Sequence, residues 1–232
     1  FVDRINGLRY EEIANRGGCI LNSSDTLSNT GEDDLYEQSL KCIHNVMKRG
    51  TAAIEIKSGY GLSIQSELKM LRVIKRLTRD LNIKIKATLL GAHAIPKEFK
   101  NNEPAFIDLV VNELIPEVKK QHLAEYIDVF CEKGYFSLED TERILKAGTE
   151  HGLIPKIHVN QFNAFGGVAL GVKYNALSVD HLEELTDDDI NALQNSETIQ
   201  VSSPSLTYFL SIQLTPARNI IDVGLPLVFI HI

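Results

Sequence analysis

The sequence predicts an α/β protein, a TIM-type (β/α)8 barrel that is incomplete, with about seven strands. Short apolar runs alternate with amphipathic stretches of helical period, the pattern of a parallel sheet with crossover helices. Two of those runs end on histidine, His158 and His181. A barrel gathers the C-terminal ends of its parallel strands at one mouth, where site residues sit. At 232 residues the chain has room for one large core, so one domain over residues 1–232 is expected.

The alternation begins after residue 34. Thr51–Ile56 reads as a strand. Ser63–Leu81 reads as a helix, with Leu68, Leu71, Ile74 and Leu77 at helical spacing. Ile83–Leu90 is a second strand, and a helix runs from about Pro104 to Gln121. Tyr126–Cys131 is a third strand. Ser137-Leu138-Glu139-Asp140 is an N-cap followed by acidic residues, which opens the next helix. Four more strands follow at Ile154–His158, Ala176–Asp180, Thr198–Ser202 and Leu225–Ile230. Helices are expected near Phe165–Tyr174, Asp187–Gln194 and Pro216–Val223, the middle one capped by Thr186. A doubly wound open sheet is the rival architecture. It calls for a Gly-rich phosphate loop after the first strand. Lys57-Ser58-Gly59-Tyr60-Gly61 has glycines but neither the dinucleotide-binding spacing nor a Walker lysine and hydroxyl.

A net charge of -7 argues against nucleic acid or an anionic membrane as the main partner, and does not exclude a small-molecule substrate, even an anionic one. Cys19, Cys42 and Cys131 are widely spaced and odd in number, as in a reduced, cytoplasmic protein. The longest apolar stretch, Leu225–Ile230, is far short of a membrane span, and the polar start shows no signal peptide. The chain opens on Phe1 rather than methionine and closes on a strand-like run. An internal piece of a longer protein is therefore the expectation.

The strand ends are where a barrel carries its chemistry. They carry Tyr60, between two glycines, then His93, His158 and His181. Imidazoles gathered at one mouth point either to a metal ion or to proton transfer. A metal-bound water reaches a pKa of about 7 and so supplies hydroxide at neutral pH. In His158-Val159-Asn160-Gln161 the last residue is an amide, which can donate and accept hydrogen bonds but cannot shuttle a proton. Gln161 is thus either a substrate-orienting amide or an exposed turn residue. Tyr60 is either a ligand contact or a packed loop aromatic. Asp187-Asp188-Asp189 reads as a solvated helix cap rather than a metal site. His44, His122 and His151 read as surface residues.

The stretches Glu55-Ile56-Lys57-Ser58-Gly59-Tyr60-Gly61-Leu62, Leu89-Leu90-Gly91-Ala92-His93-Ala94-Ile95-Pro96 and Asp128-Val129-Phe130-Cys131-Glu132 belong together. With His158-Val159-Asn160-Gln161 and Val179-Asp180-His181-Leu182-Glu183 they resemble the imidazolonepropionases. These are metal-dependent hydrolases of the amidohydrolase superfamily, from histidine degradation. The similarity runs from about Tyr10 to Pro226. It implies hydrolytic ring opening of 4-imidazolone-5-propanoate to N-formimidoyl-L-glutamate, with one divalent metal, zinc or iron. It also implies His158 as a metal ligand and His181 as the residue that activates or orients the attacking water. Tyr10, Tyr60, His93 and Gln161 become substrate contacts. Because the family is commonly dimeric, a homodimer is expected.

The chain departs from the family pattern at its edges. No His-x-His pair occurs, although the family takes two metal ligands from one, and a carboxylate-binding arginine is expected before Phe1. Ile232 aligns near a ligand aspartate. One family metal ligand of four, His158, is therefore expected here. Two other readings stay open: a different amidohydrolase, such as a cyclic amidine or purine-type deaminase, and a metal-free barrel fragment. The first would favour a glutamate where Gln161 stands.

Overall fold

Strands and helices alternate as the sequence predicts, and each strand pairing seen among the described residues is parallel. The structure, a computed structural model, describes Gly7 and residues 20–230. The expected substrate contact Tyr10 lies outside the described residues, as do Cys19, His231 and Ile232. The chain folds as two compact units, Phe1–Glu125 and Tyr126–Ile232.

In the first unit, helices α1 (Ile20–Asn29) and α2 (Glu32–Met47) precede strand β1 (Ala53–Lys57), helix α3 (Ile64–Asp80) and strand β2 (Lys84–Ala92). β1 pairs with β2 from Ala53↔Lys84 to Lys57↔Thr88. Ser63 caps α3 by accepting from the Ser66 N–H, and Leu68, Leu71, Ile74 and Leu77 are all buried. The predicted periodicity is the face that packs inward. The helix expected over Pro104–Gln121 is instead α4 (Glu103–Leu109), a π-helical turn (Val110–Leu114) and α5 (Ile115–Gln121). Pro116 has no N–H to offer the carbonyl four residues back, and the wider turn accommodates that loss.

Helices α1 and α2 were not anticipated. Each has a single buried residue, Ile20 and Ile43 respectively. Polar contacts hold α2 against α3: Arg72 to Glu32 at 2.9 Å, Arg76 to Asp33 at 2.7 Å, and the Tyr36 hydroxyl donating to Asp80 at 3.0 Å. Such a helix leaves little apolar periodicity to read.

In the second unit β3 (Tyr126–Cys131), α6 (Leu138–Glu150), β4 (Ile154–Pro155), β5 (Ile157–Val159), α7 (Gly167–Lys173) and β6 (Ser178–His181) follow one another. Then come α8 (Asp187–Gln194), β7 (Ile199–Ser202), α9 (Pro204–Leu210), α10 (Ala217–Asp222) and β8 (Leu227–Phe229). The strands run in the order β3-β5-β6-β7-β8, with β4 also on β3. The strand expected over Ile154–His158 is thus in two pieces, broken beside Pro155, which cannot donate to the ladder. Its core includes Ile127, Val129, Ile144, Leu145, Ile157, Val159 and Val179, all at most 1% exposed. Helices α6 and α8 each open with a complete capping box, Ser137 with Asp140 and Thr186 with Asp189. Close packing of α7 depends on Gly167, where a Cβ would meet Val159 Cγ1 at 2.7 Å. No helix among the described residues is long and apolar enough to cross a membrane.

Candidate functional site

Three parallel strands of the second unit bring a histidine and two aspartates together. The register sets His158 of β5 opposite Asp180 of β6 and next to β3, which carries Asp128. Asp128 is fully buried, and its two carboxylate oxygens lie 3.0 and 2.9 Å from His158 Nδ1. A buried carboxylate that accepts the Nδ1–H of an imidazole leaves its Nε2 lone pair open, the arrangement by which proteins commonly orient a metal-binding histidine. Asp180 Oδ1 accepts from Ser178 Oγ at 2.7 Å. One donor atom each from Asp128, His158 and Asp180 lies within 4.8 Å of the others. An imidazole with carboxylates suits a divalent ion such as zinc or iron. The residues present fit one divalent cation.

His181, at the end of β6, places its ring 5.1 Å from that of His158, centroid to centroid. Its backbone is in the left-handed region (φ 91°), as is that of Leu182 (φ 64°). Non-glycine residues adopt this geometry at a cost of about 1–3 kcal/mol each, and it collects at functional sites. The turn is pinned from outside: the Thr215 hydroxyl donates to the His181 carbonyl at 2.8 Å, and Ser202 Oγ donates to Thr215 at 2.8 Å.

The loop after β5 is equally fixed. Asn160 is also left-handed (φ 56°). Its carbonyl accepts from Glu184 N at 2.9 Å, and its side-chain amide donates to Asp189 at 3.0 Å. Asp189 is therefore buried and structural, which corrects the reading of the whole acidic run as solvated; Asp187 and Asp188 are exposed. Gln161 follows and is buried, not an exposed turn residue. Glu132, 1% exposed, ties down the next residues by accepting from Phe162 N at 2.9 Å and Asn163 Nδ2 at 3.1 Å. Burial pushes the thiol of nearby Cys131 up to about 11, so it is no nucleophile at neutral pH.

The first unit holds the other predicted residues as a pair. The rings of Tyr60 and His93 meet edge to face at 5.1 Å, and His93 Nδ1 lies 3.1 Å from the Gly59 carbonyl. Under this loop sits Glu67, 1% exposed, whose carboxylate accepts the N–H groups of Gly59 (2.9 Å), Gly61 (2.7 Å) and Leu62 (3.0 Å). Burial raises its pKa, while the Ser58 hydroxyl and these three amides pull it back. A Cβ on Gly61 would come within 2.5 Å of Glu67 N, so only glycine permits the loop to close on the helix.

Sequence reasoning missed Asp128, Asp180, Glu67 and Glu132. A signal existed for the first two. Each is a carboxylate inside an apolar strand, Ile127-Asp128-Val129 and Ser178-Val179-Asp180, where an unpaired charge is costly. His44 and His122 are exposed as expected, whereas His151 is half-buried with Nδ1 2.8 Å from the Ala147 carbonyl.

No family model matches the chain. It is 62% identical over 227 residues to the imidazolonepropionase of Christiangramia forsetii, covering 98% of this chain and 55% of that protein. Identity to the imidazolonepropionase of Flavobacterium johnsoniae is 59%, with the same coverage. The Brevibacillus brevis imidazolonepropionase is 40% identical over 95% of this chain and 52% of its own length. The chain thus spans about half the length of the curated relatives it matches. Among solved structures, a mutant of the atrazine chlorohydrolase TrzN from Arthrobacter aurescens, complexed with zinc and atraton, superposes with a TM-score of 0.69. It is 12% identical, over 96% of this chain and 54% of that one. Guanine deaminase from C. acetobutylicum with bound guanine gives 0.66 at 15% identity, over 89% and 52%. These likenesses show the fold alone, an incomplete TIM-type barrel. By sequence, the chain is similar to the imidazolonepropionases over about half of their length.

Proposed function

We propose that the protein carrying this chain opens the ring of 4-imidazolone-5-propanoate by metal-dependent hydrolysis, giving N-formimidoyl-L-glutamate. The observation that supports it best is the anchored pair at the ends of β5 and β6: His158 oriented by Asp128, with the His181 ring 5.1 Å away. The names of the relatives support the substrate. His158 Nε2 and an Asp180 oxygen are the donors this chain offers to a zinc or iron ion. When bound, such an ion lowers the pKa of water and polarises a carbonyl. His181 holds the attacking water and takes its proton as the oxygen adds to the ring carbonyl. The carbon–nitrogen bond then breaks and the proton passes to the departing ring nitrogen. Gln161 orients the ring by hydrogen bonding, while Tyr60, His93 and Tyr10 are further substrate contacts. The enzyme is expected in the cytoplasm, as a homodimer.

The test uses the chain as given and the chain extended to the length of its relatives. Each is assayed for loss of imidazolone absorbance and for bound metal. The extended protein is expected to turn over imidazolone and to carry stoichiometric metal. His158→Ala should abolish both while leaving the melting transition cooperative. An extended protein that folds but neither binds metal nor consumes imidazolone overturns the proposal.

A further inference from the structure

Two buried polar atoms beside the site face each other without hydrogen-bond partners among the described residues: His181 Nδ1 and Glu183 Oε2, 3.6 Å apart. Leaving either atom unsatisfied costs about 1–3 kcal/mol, so the local structure must gain by bringing them together. Only one histidine tautomer does so. With the proton on Nε2, the Nδ1 lone pair would point at a buried carboxylate oxygen, which is repulsive. With the proton on Nδ1, the contact becomes attractive: at 3.6 Å it is not yet a hydrogen bond, but a small approach makes it one, as catalytic contacts often tighten when substrate arrives.

The carboxylate is held for this purpose. Glu183 is 1% exposed, and its Oε1 accepts from Thr207 Oγ1 on α9 at 2.7 Å. Gln213 Nε2 donates to its carbonyl at 3.4 Å. The consecutive left-handed residues His181 and Leu182 curl the chain so that the side chain two positions on returns to the imidazole.

We propose that Glu183 is the positioning residue of His181, taking the Nδ1–H of the imidazole so that bare Nε2 is presented to the attacking water. This builds on the hydrolytic role of His181 proposed above.

The experiment compares the zinc-loaded protein, extended to the length of its relatives, with its Glu183→Leu variant, a nearly isosteric apolar replacement. Labelled-histidine 15N NMR reads the tautomer, with the His181 signal assigned by its loss in His181→Ala. Parent His181 should carry its proton on Nδ1, and Glu183→Leu should move it toward Nε2. Turnover should fall about 10–100-fold, the scale for losing the outer partner of a functional imidazole, with KM within about twofold. If Glu183→Leu does not fold, Thr207→Val, which loosens the same carboxylate, should shift the tautomer in the same direction. A parent His181 protonated on Nε2, or a tautomer unmoved by the variants, overturns the proposal. Absence of imidazolone turnover in the parent would instead count against the hydrolytic reading, and the NMR result would still decide this one.

Discussion

Glu67 shows how one residue can organise a loop while opposing its own ionisation. Its carboxylate gathers three backbone N–H groups, two of them flanking Tyr60, yet burial holds its pKa above the ordinary glutamate value. The folded state therefore binds this proton more tightly than the unfolded chain does. Stability from this group is fully present below the unfolded value and falls as pH rises through the raised folded value. Glu67→Gln removes that slope. Its NH2 group, facing the Gly59 N–H, leaves a buried donor unpaired, at a cost of about 1–3 kcal/mol. Urea melts from the carboxylate range to neutral pH should show the variant less stable throughout, with the gap narrowing as pH rises. A gap that widens with pH would contradict the raised pKa. None of this was legible in the sequence, where Glu67 is one glutamate among helix residues. The strand-end histidines were legible because position in the fold, rather than a partner, marked them. The carboxylates beside them were harder to assign: Asp128 meets His158 from a neighbouring strand, and Glu183 returns to His181 only because the two residues before it are left-handed.

At the level of elements, strong apolar periodicity and explicit caps were readable, and weakly buried helices were not. Helices α3 and α8 lie within a residue of their predicted bounds, and β3 matches its range. By contrast, α2 buries only Ile43 fully, and α9 turns Tyr208 (84% exposed) and Phe209 (52%) outward, so neither carries a clean stripe. The two capping boxes look alike in sequence but not in context. Asp140 bonds Ser137 alone at an exposed helix start, whereas buried Asp189 also receives the Asn160 amide from the loop that carries Gln161. Ser137→Ala should cost about 1 kcal/mol, the usual loss of an N-cap. Thr186→Ala should cost more, because it loosens Asp189 and with it Asn160. In a double-mutant cycle, Thr186→Ala and Asn160→Ala should be non-additive by at least about 0.5 kcal/mol in urea melts. Additivity would mean that the cap and the loop after β5 are independent.

Across the whole molecule, the fold class was legible because alternation is a property of the entire chain and survives errors in single elements. An incomplete barrel is also expected to expose sheet edges and to associate. In the second unit, Tyr208, Phe209, Ile221, Val223, Val228, Phe229 and Ile230 are each at least 38% exposed, and all fall within residues 208–230. Val228, Phe229 and Ile230 belong to or adjoin β8, which pairs with β7. An apolar strand with open surface is a template for further pairing, and natural sheets blunt such strands with charge, lysine above all. This segment contains none: Leu225-Pro226-Leu227-Val228-Phe229-Ile230 has no charged residue. The chain as given should therefore associate in a concentration-dependent way, read by sedimentation velocity or light scattering. Phe229→Lys together with Tyr208→Lys should shift it toward monomer. Because both side chains are exposed, the thermal transition should stay where it is, within the roughly 0.5 kcal/mol usual for surface changes. A parent chain that stays monodisperse and monomeric at every concentration would show that this surface is not adhesive. Loss of folding in the double variant would show that the two aromatics pack more tightly than their exposure indicates.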